Sequence, residues 1–278
     1  GAPMKKQPLP PSRNAAAVVT GAGSGIGRSF AYELARRGGA VICADINEER
    51  AEQVAACLKT LGSKAIARRC DVGDAKQMEA LSDEAEKLLG RPVTLVINNA
   101  GVGLGGPIGE VPLDDWHWCM NVNLWGVIHG CHYFAPKLRD LGYGGIINVA
   151  SAAAFGAAPE MSTYNVTKAG VLALSETLAA ELAGTGVKVT ALCPTVVPTN
   201  IVNDGKLPER RREFARSAMT RFALTTADKV ARQTLDALDR CELSVLPQID
   251  GRLAWRFKRL MPRLYARTVG ETYRLLAN

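Results

Sequence analysis

A doubly wound α/β fold is predicted, one parallel sheet of seven strands with helices on both faces, and three observations predict it. From Ala15 to Leu246, short β-branched apolar runs alternate with longer helical patterns. The runs are almost continuously apolar, as strands covered on both faces are. The first of them leads into a glycine-rich turn and then a helical pattern. With 278 residues, 47% of them apolar and 22% charged, the chain can bury such a core, and this composition excludes disordered and collagenous classes.

Taken in order, strands are expected at 16–20, 40–44, 64–70, 94–99, 145–151, 188–193 and 243–247. Helices are expected near 25–38, 48–61, 74–89, 113–139, 161–184 and 227–240. Six crossovers joining seven strands make one sheet, and neither a linker nor an internal repeat divides it. The organisation expected is a flexible leader over 1–13, one domain over 14–250 and a basic amphipathic tail over 251–278. The Gly-Ala-Pro ahead of Met4 reads as a tag-cleavage scar, and the leader has no apolar h-region of a secretory signal.

Charge and special residues narrow the function classes. The net +7 is built from +3 in residues 1–13 and +6 in residues 251–278, which leaves a body of −2. Basic ends on a near-neutral body are not the one-faced footprint of a nucleic-acid binder. Seven cysteines stand singly without a C-x-x-C, as in a chain kept reduced in the cytoplasm. His117, His129 and His132 share one stretch without carboxylates at ligand spacing, so no metal is expected.

The turn Thr20-Gly21-Ala22-Gly23-Ser24-Gly25-Ile26-Gly27 has the order a phosphate-binding turn requires. Glycines let the backbone approach a pyrophosphate, and the following helix offers unpaired N–H groups and the positive end of its dipole. Gly101, Gly103 and Gly106 repeat the spacing, but Pro107 follows instead of a helix start, so that stretch reads as a cofactor-side loop. Asp45 closes the second strand 18 residues past Gly27, where a carboxylate accepts ribose hydroxyls and repels a 2′-phosphate. NAD is therefore favoured over NADP. Asn47 is at least as well placed as Asp45 to cap the helix that follows.

Tyr164 and Lys168 stand four apart on a helical pattern, hence on one face. Tyr133 and Lys137 repeat the spacing, but Pro136 lies between them and is expected to distort their helix. Ser151 lies thirteen residues before Tyr164 at the carboxyl end of a strand, where open α/β sheets bind ligands, whereas Met120 takes that place before Tyr133. A free phenol titrates near 10 and a neighbouring ammonium favours the phenolate, so Lys168 is expected to tune Tyr164 as an acid/base.

Together these residues resemble the short-chain dehydrogenase/reductase family over about 14–250, with its Rossmann-like fold. The resemblance rests on the turn at 20–27, Asp71-Val72, Asn98-Asn99-Ala100-Gly101, Asn123, Ser151, Tyr164 and Lys168. It implies Tyr164 as acid/base, Lys168 on the ribose and lowering the phenol pKa, Ser151 on the substrate oxygen and Asn123 anchoring a proton-relay water. It also implies cofactor contacts at Gly21, Ser24, Gly25, Ile26, Gly27, Asp45, Asp71, Val72, Asn99, Ala100, Gly101, Tyr164, Lys168, Pro194, Val197 and Thr199. One departure stands out: Thr195 follows Pro194 where the family has Gly.

The resemblance implies an NAD-dependent oxidoreductase of alcohols and ketones, working as a homodimer or homotetramer. Residues 152–161 are small and apolar without Arg or Lys, and Thr199 to Leu224 reads as a lid, so an apolar secondary alcohol or ketone such as a steroid, retinoid, terpenoid or lipid-like molecule is expected. In the tail, Arg252, Arg256, Arg259, Arg263 and Arg267 recur beside Leu253, Phe257, Leu260 and Leu264, a basic amphipathic helix broken near Pro262 that suits packing or peripheral membrane contact. The alternatives are a catalytically silent NAD-binding sensor or scaffold, and an epimerase or dehydratase on the same fold.

Overall fold

The computed structural model describes residues 9–197, 205–206 and 225–277. Thr199 and, apart from Gly205 and Lys206, the expected lid lie outside the described residues. So does the leader up to residue 8. Among the described residues the strands are β1 (Ala16–Thr20), β2 (Ala40–Asp45), β3 (Ala65–Arg69), β4 (Leu95–Asn98), β5 (Gly144–Val149), β6 (Val187–Leu192) and β7 (Ser244–Val245). They form one sheet in the order β3-β2-β1-β4-β5-β6-β7 with every pairing parallel. The order in which strands are added along the sheet reverses between β1 and β4, the switch point at which such sheets open a crevice for ligands.

The helices are α1 (Gly25–Arg36), α2 (Glu48–Thr60), α3 (Ala75–Leu89), α4 (Leu113–Met120), α5 (Gly126–Leu141), α6 (Ala153–Gly156), α7 (Ser162–Glu181), α8 (Ala227–Asp239), α9 (Ile249–Leu260) and α10 (Pro262–Ala277). Apolar side chains of α1, α2 and α8 pack on one face of the sheet, and those of α3, α5 and α7 on the other. Because both faces are covered, β1, β4 and β5 are buried at every position. Helix starts follow local chemistry: Asn47, Asp74 and Thr226 each accept backbone N–H groups at the N-caps of α2, α3 and α8. Gly90 and Gly142 close α3 and α5 in the left-handed conformation.

Three expectations need correction. The helix expected over 113–139 is interrupted by a π-helical turn at Asn121–Trp125, which periodicity at 3.6 residues could not show. Pro136 does not break its helix: α5 continues through it, despite the lost N–H. What separates Lys137 from Tyr133 is instead its pairing with α3, where its Nζ donates to Ser82 O at 2.8 Å and Asp83 Oδ1 at 3.1 Å. Finally, the part of the leader that is described is tied down. The Ser12 hydroxyl donates to Asp239 Oδ2 at 2.6 Å and accepts from the buried Arg37 guanidinium at 2.8 Å. Arg37 also reaches Glu33 and Asp236, at 2.9 and 2.7 Å.

The tail breaks at Met261, just ahead of Pro262, into α9 and α10, which pack against each other. Among the described residues no helix is long and apolar enough to cross a membrane.

Candidate active site

The carboxyl ends of β1, β2, β4 and β5 bring most of the expected residues to one edge of the sheet. Thr20, the last residue of β1, holds the central crevice together. Its Oγ1 accepts from Asn99 N at 3.0 Å and Ala100 N at 3.1 Å, and Asn99 Nδ2 donates back to Thr20 O and Gly21 O at 3.0 and 3.2 Å. The glycine turn is thereby fixed against 99–101. Gly21 needs its positive φ of 62°, and a Cβ on Gly27 would stand 2.1 Å from Gly21 O, so only glycine fits there.

Ser24 caps α1 by backbone conformation, and its side chain accepts no cap bond. The first-turn amides around Gly25, Ile26 and Gly27 thus keep their donor capacity and dipole field for an anion. Asp45 stands beside them: its Oδ2 accepts from Gly23 N at 2.8 Å and its Oδ1 from Asn47 N at 2.9 Å, while Asn47 itself caps α2. Asp71 Oδ1 accepts from Gly73 N at 2.9 Å. Val72 is buried, and its carbonyl lies 2.8 Å from His129 Nδ1. These features fit an adenine dinucleotide: first-turn amides without a side-chain cap for the pyrophosphate, a carboxylate for the ribose and an apolar side chain at Val72.

Asn123, fully buried in the π-turn, pairs with the backbone of Val102 in both directions. Its Oδ1 accepts from Val102 N at 2.7 Å and its Nδ2 donates to Val102 O at 2.9 Å. Lys168, 3% exposed, donates from Nζ to Val149 O at 2.9 Å and sits 5.6 Å from the centroid of the half-buried Tyr164 ring. Gly101 lies against both, since a Cβ there would be 3.3 Å from Asn123 Oδ1 and 3.5 Å from Lys168 Nζ. The Ser151 hydroxyl accepts from Ala153 N at 3.1 Å and stands close enough to the Tyr164 phenol to lower its pKa. Asn123, Ser151, Tyr164 and Lys168 therefore form one cluster beside Asn99, Ala100 and Gly101. Pro194 borders it, its carbonyl 3.5 Å from Ser151 Oγ, and Val197 is buried in the core.

The electrostatics differ from expectation in sign. Burial pushes the Tyr164 phenol up to about 12, against the lowering effect of Ser151. Burial also pulls Lys168 down to about 8 from an ordinary 10.5. The cost of removing each charge from water sets both shifts, and Lys168 spends its nearest hydrogen bond on Val149 O rather than on the phenol. At neutral pH the site holds a neutral phenol and an ammonium.

Sequence reasoning missed several contributors. Thr167 closes the cluster from behind, with its hydroxyl 2.8 Å from Tyr164 O and 3.4 Å from Asn123 Nδ2, and Cys119 Sγ accepts from Asn123 Nδ2 at 3.4 Å. Their i+3 and i−4 spacing from Tyr164 and Asn123 was the available signal. In the second glycine stretch, Leu104 bridges to Lys206 and Gly106 to Met161. The wall at 152–161 has no cation of its own, yet the tail brings one: Lys258 Nζ donates to Phe155 O at 2.7 Å.

Comparison with known proteins agrees with this geometry. The family model for short chain dehydrogenase matches residues 15–209. A probable oxidoreductase, EphD, of Mycobacterium tuberculosis is 40% identical over 235 residues, 80% of this chain; the chain spans 39% of that relative's length. The D-threitol dehydrogenase of Mycolicibacterium smegmatis is 38% identical over 188 residues, covering 66% of this chain and 71% of that one. The cyclohexanol dehydrogenase of an Acinetobacter strain is 34% identical over 190 residues, 68% and 75% of the two chains. Among solved structures, a short chain dehydrogenase/reductase from Burkholderia phymatum in complex with NAD superposes with a TM-score of 0.85 at 32% identity, over 91% of this chain and 96% of that one.

The depressed Lys168 pKa makes a stability prediction. Below pH 8 both folded and unfolded chains carry the proton, and the full cost of burying the charge is present; between 8 and 10.5 only the unfolded chain carries it, so stability rises with pH. Lys168→Met is expected to gain about 2 kcal/mol at pH 7, less any penalty for the orphaned Val149 carbonyl, with the gain shrinking towards pH 10. Urea unfolding at the two pH values measures it, and a variant equally destabilised at both would contradict the burial argument.

Proposed function

The chain belongs to the short-chain dehydrogenase family, and from that premise we propose that it is an NAD(H)-dependent oxidoreductase interconverting an apolar secondary alcohol and its ketone. The observation that carries the reading is the single cluster of Asn123, Ser151, Tyr164 and Lys168 beside a glycine turn whose first-turn amides keep their donor capacity. A protein that only bound the dinucleotide would need neither the Ser151 hydroxyl nor a phenol.

Gly21, Ser24, Gly25, Ile26, Gly27, Asp45, Asp71, Val72, Asn99, Ala100 and Gly101 would hold the dinucleotide, with Pro194, Val197 and Thr199 at its nicotinamide end. When bound, the nicotinamide supplies or accepts the hydride. The residues of the chain manage the proton. In reduction, the neutral Tyr164 phenol donates to the carbonyl oxygen while Ser151 hydrogen-bonds the same oxygen. The Lys168 ammonium stabilises the phenolate left behind, and Asn123, pinned by Val102, anchors the water that returns a proton. In oxidation the phenol must first lose its proton, so the rate in that direction rises with pH. Asp45 supports NAD over NADP, because its carboxylate already faces the turn and a 2′-phosphate would add a like charge.

Relatives named for cyclohexanol and D-threitol show alcohols of different polarity on one scaffold. For this chain the apolar choice is supported by the wall 152–157, Ala-Ala-Ala-Phe-Gly-Ala. Peripheral attachment to an anionic membrane is supported by the outer face of the tail, where Leu253, Leu260 and Leu264 are 58%, 80% and 45% exposed among six arginines between residues 252 and 274. The intact protein is then expected to float with anionic phospholipid vesicles and a Leu253→Glu/Leu260→Glu variant to stay behind; equal behaviour of the two would refute attachment through this face.

Turnover is tested by reduced-nicotinamide absorbance with NAD and NADP over a panel of secondary alcohols that includes cyclohexanol. Activity is expected with NAD, and Tyr164→Phe should lower kcat by at least about a hundredfold while leaving NAD affinity within a small factor. Full activity in that variant would overturn the assigned chemistry. NAD binding without turnover on any alcohol would favour the binding-protein reading.

A further inference from the structure

Two backbone segments near Ser151 and Tyr164, 194–197 after β6 and 155–160 from the end of α6 towards α7, are both gripped by the C-terminal hairpin of α9 and α10. Gln248, 3% exposed at the N-cap of α9, accepts from Thr195 N at 3.0 Å and donates to Val196 O at 3.0 Å. Asp250 Oδ1 accepts from the Thr195 hydroxyl at 3.1 Å. On the other segment, Lys258 Nζ donates to Phe155 O at 2.7 Å, Tyr265 OH to Gly156 O at 2.8 Å and Tyr273 OH to Glu160 Oε1 at 2.9 Å.

Segment 155–160 requires such restraint. Ala157 and Glu160 have φ of +51° and +58°, the left-handed region that residues with a Cβ occupy only where their surroundings over-determine it. Within the domain, Gly106 N holds Glu160 O at 2.7 Å and Asn165 Nδ2 holds Ala158 O at 2.8 Å. The carbonyls just ahead of Ala157 are held by the tail. The tail side is itself stiffened: Phe257 and Tyr265 meet edge to face at 5.6 Å, and the Lys258 ammonium sits 5.8 Å from the Tyr265 ring centroid.

We propose that the C-terminal hairpin is a positioning element for the substrate wall, with Lys258 and Tyr265 fixing the 155–160 segment over Tyr164 and so setting the size of apolar alcohol or ketone the site accepts. This rests on the oxidoreductase reading above. Neither residue touches the reacting atoms; both act through the backbone of Phe155 and Gly156.

The test uses the full chain with Tyr265→Phe and Lys258→Met, singly and together, and Lys258→Arg as the conservative control. Two readouts are taken: amide hydrogen exchange across 152–161, and steady-state kinetics with cyclohexanol and a steroid-sized secondary alcohol. The double variant is expected to exchange at least about tenfold faster in this segment and to shift the KM ratio of the two alcohols by about tenfold. The kcat for cyclohexanol and the NAD affinity should stay within about twofold, and Lys258→Arg should behave as the parent. Unchanged exchange overturns the proposal, as does a KM ratio that stays put while kcat and NAD affinity fall together. If the parent turns over no alcohol, the oxidoreductase reading fails, while the exchange result still decides the grip of the hairpin on the wall.

Discussion

A parallel sheet that stops at its carboxyl edge leaves backbone N–H and C=O groups that no neighbouring strand can satisfy, and a buried unpaired group is costly. The whole site is built on how this chain pairs them. Thr20 takes the amides of Asn99 and Ala100, Asn99 returns its own amide to Thr20 and Gly21, Asn123 takes both groups of Val102, and Lys168 takes Val149 O. Each bond satisfies an edge group and, in the same act, helps set the distance between the glycine turn and the cluster of Asn123, Ser151, Tyr164 and Lys168. Polar side chains deeper in the sheet extend the pattern, with Asn98 donating to Asn148 and Asn148 to Ser175.

The cost of this arrangement is electrostatic. A charged amine that is 3% exposed costs stability at neutral pH, and it shares one cluster with a phenol pushed up to about 12. Burial keeps the phenol protonated at neutral pH and brings the amine closer to losing its proton. Two of the four non-glycine residues with positive φ among the described residues, Ala157 and Glu160, lie in the 155–160 segment.

The sheet was legible because its strands are buried on both faces and so read as apolar runs between helical patterns; their ends fall within a residue or two of expectation, even at β7, an edge strand of only two residues where five were expected. The residues that gather at the site could be picked out because their spacing combines with strand ends that a parallel sheet must align. The π-turn carrying Asn123 was not legible, since the side chain that rewards it pairs with a backbone 21 residues away. The sign of the pKa shifts was not legible either: adjacency of Tyr164 and Lys168 follows from sequence, but desolvation depends on what covers them. The tail showed its amphipathic pattern, and even its break near Pro262, yet nothing in its spacing tells that Lys258 and Tyr265 reach Phe155 and Gly156, more than a hundred residues earlier.

The dependence of the site on its edge bonds is tested most directly by Thr20→Val, which keeps the shape of the side chain and removes the oxygen that two amides share. Calorimetric titration with NAD is the measurement. With the glycine turn released from Asn99 and Ala100, the affinity is predicted to weaken by about tenfold or more. An unchanged NAD affinity in a folded Thr20→Val protein would contradict the account.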